Sequence, residues 1–181
     1  MSRLNISMFG QLVVELDGER AGSFRTKKVQ ALLIYLASEP ETAHRRELLT
    51  TLLWPGMPDS SARSNLRQVL FHLRRAIPDF EENGEPVPLL IANRYTIQLN
   101  SQAKVVIDTA EFEALLESVQ NHAHIDLLSC HTCRQTLESA VSINKGPFLA
   151  DFYLEDSNEF EEWAEINRQR FRRKMLMPWT H

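Results

Sequence analysis

Between residues 63 and 75 the chain carries Arg63, Arg67, Gln68, Phe71, His72, Arg74 and Arg75, a set that can do recognition chemistry. An arginine presents a planar fork of donors, and a glutamine presents a donor beside an acceptor. Such groups fit the edges of planar heterocycles and the oxygens of phosphates. A second set is Cys130-His131-Thr132-Cys133 with His122 and His124 close by in sequence. Thiols and imidazoles are zinc ligands, but a C-x-x-C without a second such pair is an incomplete ligand set. A third is the carboxylate cluster Asp108, Glu111 and Glu113, which also fits an ordinary helix start, where the helix dipole favours acids.

The first set needs a helix to position it. From residue 60 to 77 the apolar residues Ala62, Leu66, Val69, Leu70, Leu73 and Ile77 recur at helical spacing, and Asp59 or Ser60 can cap the start. With Leu66 at the centre of that stripe, Gln68, Phe71 and Arg75 fall roughly opposite at about 100° per residue, and Arg67 and Arg74 fall on one flank. A helix with arginine and glutamine on its outer face can read guanine and adenine edges in a major groove. The competing reading is a solvated charged face; an exposed phenylalanine at position 71 speaks against it.

Around this helix the order of elements is informative. Leu4–Phe9 and Leu12–Leu16, each ending at a glycine-containing turn, predict two strands, and residues 21–24 a short third. Thr26 predicts a helix start, and Glu39-Pro40 the end of that helix. A second helix is expected over about 45–53, stopped by Trp54-Pro55-Gly56. After a polar loop over 81–88, residues 89–99 read as a hairpin with Asn93-Arg94 at its tip. Beyond Asn100 only helices are expected, starting near 109, 130 and 157. Strands, a helix pair, the amphipathic helix and a hairpin form a helix-turn-helix with a wing, and Arg94 would reach a minor groove or backbone phosphate. Lys27, Lys28, Arg45 and Arg46, near helix starts, are candidate phosphate contacts.

Charge fits once it is divided. The 181 residues carry a net charge of −4, but residues 1–100 sum to +1 and residues 101–181 to −5. From Ser60 to Phe80 the local balance is +3. Hydrophobic residues make up 43% and charged ones 24%, enough for a packed core. The longest apolar stretch, residues 31–37, is far short of a bilayer span, and the N-terminus lacks the apolar core of a secretion signal, which points to the cytoplasm. No nucleophile elbow, phosphate-binding loop or H-E-x-x-H occurs, so no enzyme is expected.

Several stretches resemble regulators of the SARP type. Phe9-Gly10, Arg25-Thr26-Lys27-Lys28 with Ala31-Leu32-Leu33, and Arg46-Glu47-Leu48-Leu49 with Leu53-Trp54-Pro55 look like that family. Residues 62–67 and Leu73-Arg74-Arg75-Ala76 are similar to its recognition helix, and Arg94-Tyr95-Thr96 to the wing turn of OmpR/PhoB-like domains. Val106-Ile107-Asp108, residues 137–141, Lys145 to Phe152, and Phe160 to Trp163 with Arg168 resemble the bacterial transcriptional activation domain that follows.

The resemblance implies an α+β winged helix over 1–102, followed over 103–181 by the N-terminal part of an all-α, tetratricopeptide-like domain. The family's own helical domain is longer, so a truncated one is expected. The implied function is a sequence-specific DNA-binding transcriptional activator that binds double-stranded DNA, contacts RNA polymerase and self-associates on tandem sites. The expected DNA-binding residues are Arg63, Arg67, Gln68, Phe71, His72, Arg74, Arg75 and Arg94. No cofactor, metal or membrane is expected, and Cys130 and Cys133 are assigned to packing, as Trp54, Trp163, Phe148 and Phe152 are to the core. The alternative from another class is a protein-interaction module with no DNA reading of its own, which the near-neutral first half and acidic second half leave open.

Overall fold

The computed structural model describes residues 3–82, 84–123 and 129–176. The chain begins with β1 (Leu4–Ser7) and β2 (Val13–Leu16), paired antiparallel, and β3 (Glu19–Arg20) adds to β2. The third strand therefore lies earlier than residues 21–24. Asp17 and Gly18 both take positive φ, 54° and 85°. A two-residue turn of that kind folds the chain back at once, so pairing starts at Glu19.

Next come α1 (Lys27–Ser38), the short β4 (His44–Arg45), α2 (Arg46–Leu53) and α3 (Asp59–Ala76). Thr26 stands at the N-cap of α1, but its side chain makes no capping bond. Residues 81–88 are not a plain loop: β5 (Phe80–Glu82) and β6 (Glu85–Val87) form a small hairpin, with Phe80 buried as its anchor. β7 (Leu90–Ala92) and β8 (Thr96–Leu99) form the expected larger hairpin, and β4 extends it along the edge of β8.

Strands also continue past Asn100, contrary to expectation. β9 (Val105–Ile107) pairs parallel with β1, matching Leu4 to Val105 and Ile6 to Ile107. A run of three β-branched residues fits an extended segment, and its partner lies a hundred residues away, where local periodicity cannot reveal it. Then follow α4 (Asp108–Asn121), α5 (His131–Ile143) and α6 (Asn158–Leu176). The result is an α+β chain in which a winged-helix arrangement precedes a helical part.

One core runs through both parts. Phe9 from the first half meets Phe112 of α4 and Phe171 of α6 at ring-centroid distances of 5.3 and 5.1 Å. Tyr35 of α1 lies 5.0 Å from Trp163 of α6. Trp54, Phe148 and Phe152 are buried as core anchors, and Trp163 packs against the core while half-buried.

The backbone is stitched as well. The stretch from Pro147 to Ala150 exchanges hydrogen bonds with Met8 and Gly10: Leu149 N–H donates to Met8 O at 2.8 Å and Gly10 N–H to Pro147 O at 2.9 Å. Gly146 takes φ 153°, and a Cβ on it would lie 3.3 Å from the Cα of Gly10, so this crossing favours a glycine. Arg168 closes the same loop from behind, donating to Phe148 O at 3.1 Å and to Leu149 O at 3.4 Å.

Asp108 is the other seam. Its buried carboxylate accepts the N–H groups of Met8 and Phe9 at 2.9 Å and that of Thr109 at 2.7 Å. Burial raises its pKa; the N–H groups of Phe9, Met8 and Thr109 oppose that, and Glu111 adds to it. The first carboxylate of the Asp108–Glu113 cluster thus ties two backbones together.

Candidate nucleic-acid interface

The apolar stripe of α3 is buried as its spacing predicts: Ala62, Leu66, Val69, Leu70 and Leu73, with Ile77 just beyond the helix, all lie in the core. Packing on α1 and α2 fixes its inner face. In α2 only Leu49 and Leu53 are buried, while Leu48 faces out and Leu52 is half-covered, so the four-leucine face of the sequence is narrower in the structure. Trp54 closes α2 by donating its N–H to Thr50 O, and Gly56 with φ 72° turns the chain into α3.

With the inner face fixed, Arg63, Arg67, Gln68, Phe71, Arg74 and Arg75 are exposed, and His72 is half-buried. Their arrangement has a ridge and two flanks. On the ridge, Phe71 is 56% exposed, with the Arg75 guanidinium 5.7 Å from its ring and the His72 ring edge-on at 5.4 Å. Phe71 therefore does not pack on a neighbouring element; it stands out with a cation over it.

One flank faces the wing. A groove of about 890 Å³ is lined by Arg45, Arg46, Arg63, Arg67, Arg94 and Tyr95, among others. Arg46 donates from Nε to Asn93 O at 2.8 Å, and its N–H donates to Tyr95 O, so the start of α2 is bolted to the wing turn. Burial lowers the Arg46 pKa, and the like charges of Arg74 and Arg67 lower it further. The turn itself is preset by Asn93, whose Oδ1 accepts the N–H groups of Tyr95 and Thr96 at 2.7 and 2.9 Å. Arg94 lies over the Tyr95 ring at 5.8 Å, and both are exposed.

The other flank is a smaller hollow of about 390 Å³, where Gln68 and His72 meet Arg25, Asn65 and Trp54. The expected site residues therefore divide: Arg63, Arg67 and Arg94 share the wing side with Arg74 electrostatically close by, whereas Gln68 and His72 look to the start of α1.

Arg63 is held by Asp59 at 3.6 Å in an exposed pair, a weak tie that a stronger anion can replace. Among the described residues, Arg67, Arg74, Arg75 and Arg94 form no ion pair.

Two of the suggested phosphate contacts have acceptors within the chain, Lys28 partly buried and Lys27 still exposed. Lys28 pairs with Asp156 at 2.9 Å and donates to Leu53 O, and Lys27 donates to Tyr153 O at 3.0 Å. Tyr153 and Asp156 come from the second half of the chain, so both lysines serve the seam. Tyr95 and Arg25 belong to the surface although neither is among the expected site residues; the signal for Tyr95 is an aromatic placed directly after the Asn93-Arg94 turn.

No protein-family model matches the chain, and no curated protein is similar to it. The solved structure of Mycobacterium tuberculosis EmbR, in complex with a low-affinity phosphopeptide, is similar to it with a TM-score of 0.76 and 22% sequence identity. The match covers 98% of this chain and 44% of that one, so the chain spans less than half the length of the solved protein. At that identity the likeness carries the fold alone, an α+β part followed by a helical one.

Proposed function

We propose that the chain is a sequence-specific DNA-binding transcriptional regulator of the SARP type. The observation that carries this is the wing-side flank of α3, where Arg67 and Arg74 stand near Arg46 and Arg94 and none of the four forms an ion pair among the described residues, with Glu47 the one acid lining the groove. Mutually repelling cations cost stability, and they are matched when a polyanion arrives. The ridge of Phe71 and Arg75, with Gln68 beside it, would enter the major groove and read base edges. Arg63, Arg67 and Arg74 would hold phosphates and set register, and Arg94 would reach the adjacent backbone or minor groove. His72, half-buried between the ridge and the α1 side, would shape the reading face.

In this proposal residues 1–102 bind DNA, and residues 103–181 begin a tetratricopeptide-like activation domain that contacts RNA polymerase. The action is binding, not catalysis, and its place is the bacterial cytoplasm. Self-association would follow from tandem sites one helical turn apart. Selection of bound duplexes from a random-sequence pool tests the proposal. Enrichment of one motif is the expected result, and a doubled motif about ten base pairs apart would add self-association. A folded chain that enriches nothing overturns sequence-specific reading and leaves the protein-interaction alternative.

A further inference from the structure

The C-terminus of α4 and the N-terminus of α5 bring together three side chains that the DNA-binding proposal does not use. His122 is the first residue after α4, Cys130 the last before α5, and Cys133 lies one turn into it. The His122 Nδ1 is 3.0 Å from the Cys133 Sγ and 3.5 Å from the Cys130 Sγ, and all three ligand atoms lie within 4.8 Å of one another. His124, which stands near them in sequence, lies outside the described residues.

We propose that His122, Cys130 and Cys133 form a zinc site that clamps α4 to α5. Zinc bonds of about 2.0–2.3 Å at the tetrahedral angle set ligand atoms roughly 3.5–3.8 Å apart. The observed separations need shifts of no more than about 1 Å to meet that. Two thiols and an imidazole are the donor types a borderline-soft cation selects over the carboxylates abundant elsewhere in this half.

The site is also supported from below. Cys133 is buried in a small cluster with Val119 and Leu137, flanked by Leu116, apart from the main core. Packing alone accounts for a buried Cys133. Cys130 also packs against that cluster, but packing does not account for an exposed His122 imidazole turned onto both sulfurs. Binding would take both thiols as thiolates and the imidazole with its Nδ1 lone pair free, so one zinc ion displaces up to two protons and leaves a neutral centre. Three protein ligands leave one position for water or another donor.

The test uses the whole chain, purified under reducing conditions and titrated with zinc chloride. One zinc per chain is expected, with protons released on binding and a higher Tm in the zinc-loaded protein. Cobalt(II) should substitute and give a thiolate charge-transfer band. Cys130→Ser, at a partly exposed position, and His122→Gln, at an exposed one, should each weaken zinc binding by at least about 100-fold, beyond the ~10–100-fold typical of losing an outer partner. Cys133→Ser should abolish the cobalt band, but its burial leaves the other two variants as the decisive ones. Retention of full zinc affinity by both of those variants overturns the proposal. So does an unaltered, reduced chain that binds no zinc, or one in which Cys130 and Cys133 pass into a disulfide in air as readily with zinc as without it.

Discussion

The two halves of this chain use the same side chains in opposite ways. In the helical half, the cations that face the core are consumed internally, while Arg172 and Arg173 stay exposed: Arg168 holds the Phe148–Phe152 loop, and Arg170 and Lys174 both pair with Glu113. Lys27 and Lys28 of the first half are drawn into the same work by Tyr153 and Asp156. On the outer side of α3, the arginines are left over. A basic residue is therefore a candidate for an external anion only after the internal acceptors have been assigned, and that assignment is tertiary.

Removing charge from the leftover group should have the largest effect. Arg67→Ala with Arg74→Ala is expected to weaken duplex binding by about 3–5 kcal/mol, roughly two to four powers of ten, with a Tm no lower than the parent's because like-charge repulsion is relieved. The salt dependence should flatten by about 0.9 for each phosphate that is no longer neutralised. Equal affinity in the double variant and the parent, measured by fluorescence anisotropy at two salt concentrations, would erase the distinction between the halves. Arg75→Ala, on the ridge, should instead relax sequence preference more than it changes the salt slope.

The opposite manipulation acts on the seam. Asp108→Ala leaves the Met8 and Phe9 N–H groups without their carboxylate acceptor in a buried place, and should cost about 2–4 kcal/mol of stability in a denaturant titration. Asp108→Asn isolates the charge. Because the folded pKa of Asp108 is raised, the folded state holds the proton more tightly than the unfolded one. Its titration contributes stability that is full below the unfolded value, near 3.9, and is lost as pH rises through the raised folded value. The parent should therefore gain on Asp108→Asn as the pH falls through that window; a constant difference between the two would mean that the carboxylate is not the titrating group.

A milder seam variant is Lys28→Met, which keeps the stem packed near Trp54 but removes the ammonium from Asp156 and Leu53 O. It should cost about 1 kcal/mol of stability, with duplex affinity and salt slope unchanged. A flattened salt slope would return Lys28 to the set of phosphate-binding residues.

What the sequence makes legible follows from where each signal resides. The stripe of α3, the two ends of α1 and the starts of α4, α5 and α6 are local features, and the structure reproduces them within a residue or two. β9 is not legible because a three-residue strand carries little periodicity and its partner β1 is a hundred residues away. The β5–β6 hairpin is hidden in a polar, Gly- and Pro-containing stretch, with only Phe80 to mark its buried anchor. The arginine-rich outer face of α3 can be placed by counting, but its division into a wing side and an α1 side cannot. That division depends on Arg46 reaching Asn93 and on the start of α1 lying beside His72. For Lys27 and Lys28 the deciding acceptors, Tyr153 and Asp156, lie more than a hundred residues downstream.

The smallest expected effect is the most discriminating for the wing. Arg94 sits at the tip, over Tyr95, and its guanidinium bonds nothing in the described hairpin that holds its shape; Asn93 and Arg46 do that. Arg94→Ala should therefore leave stability unchanged, lower duplex affinity by about 0.5–1.5 kcal/mol and reduce the salt slope by about one phosphate's worth. Asn93→Ala breaks the turn geometry while keeping the arginine. If the wing acts through a positioned charge, Asn93→Ala should reproduce the affinity loss of Arg94→Ala, and the two together should lose little more than either alone. Additive losses would mean that the turn and the charge act separately.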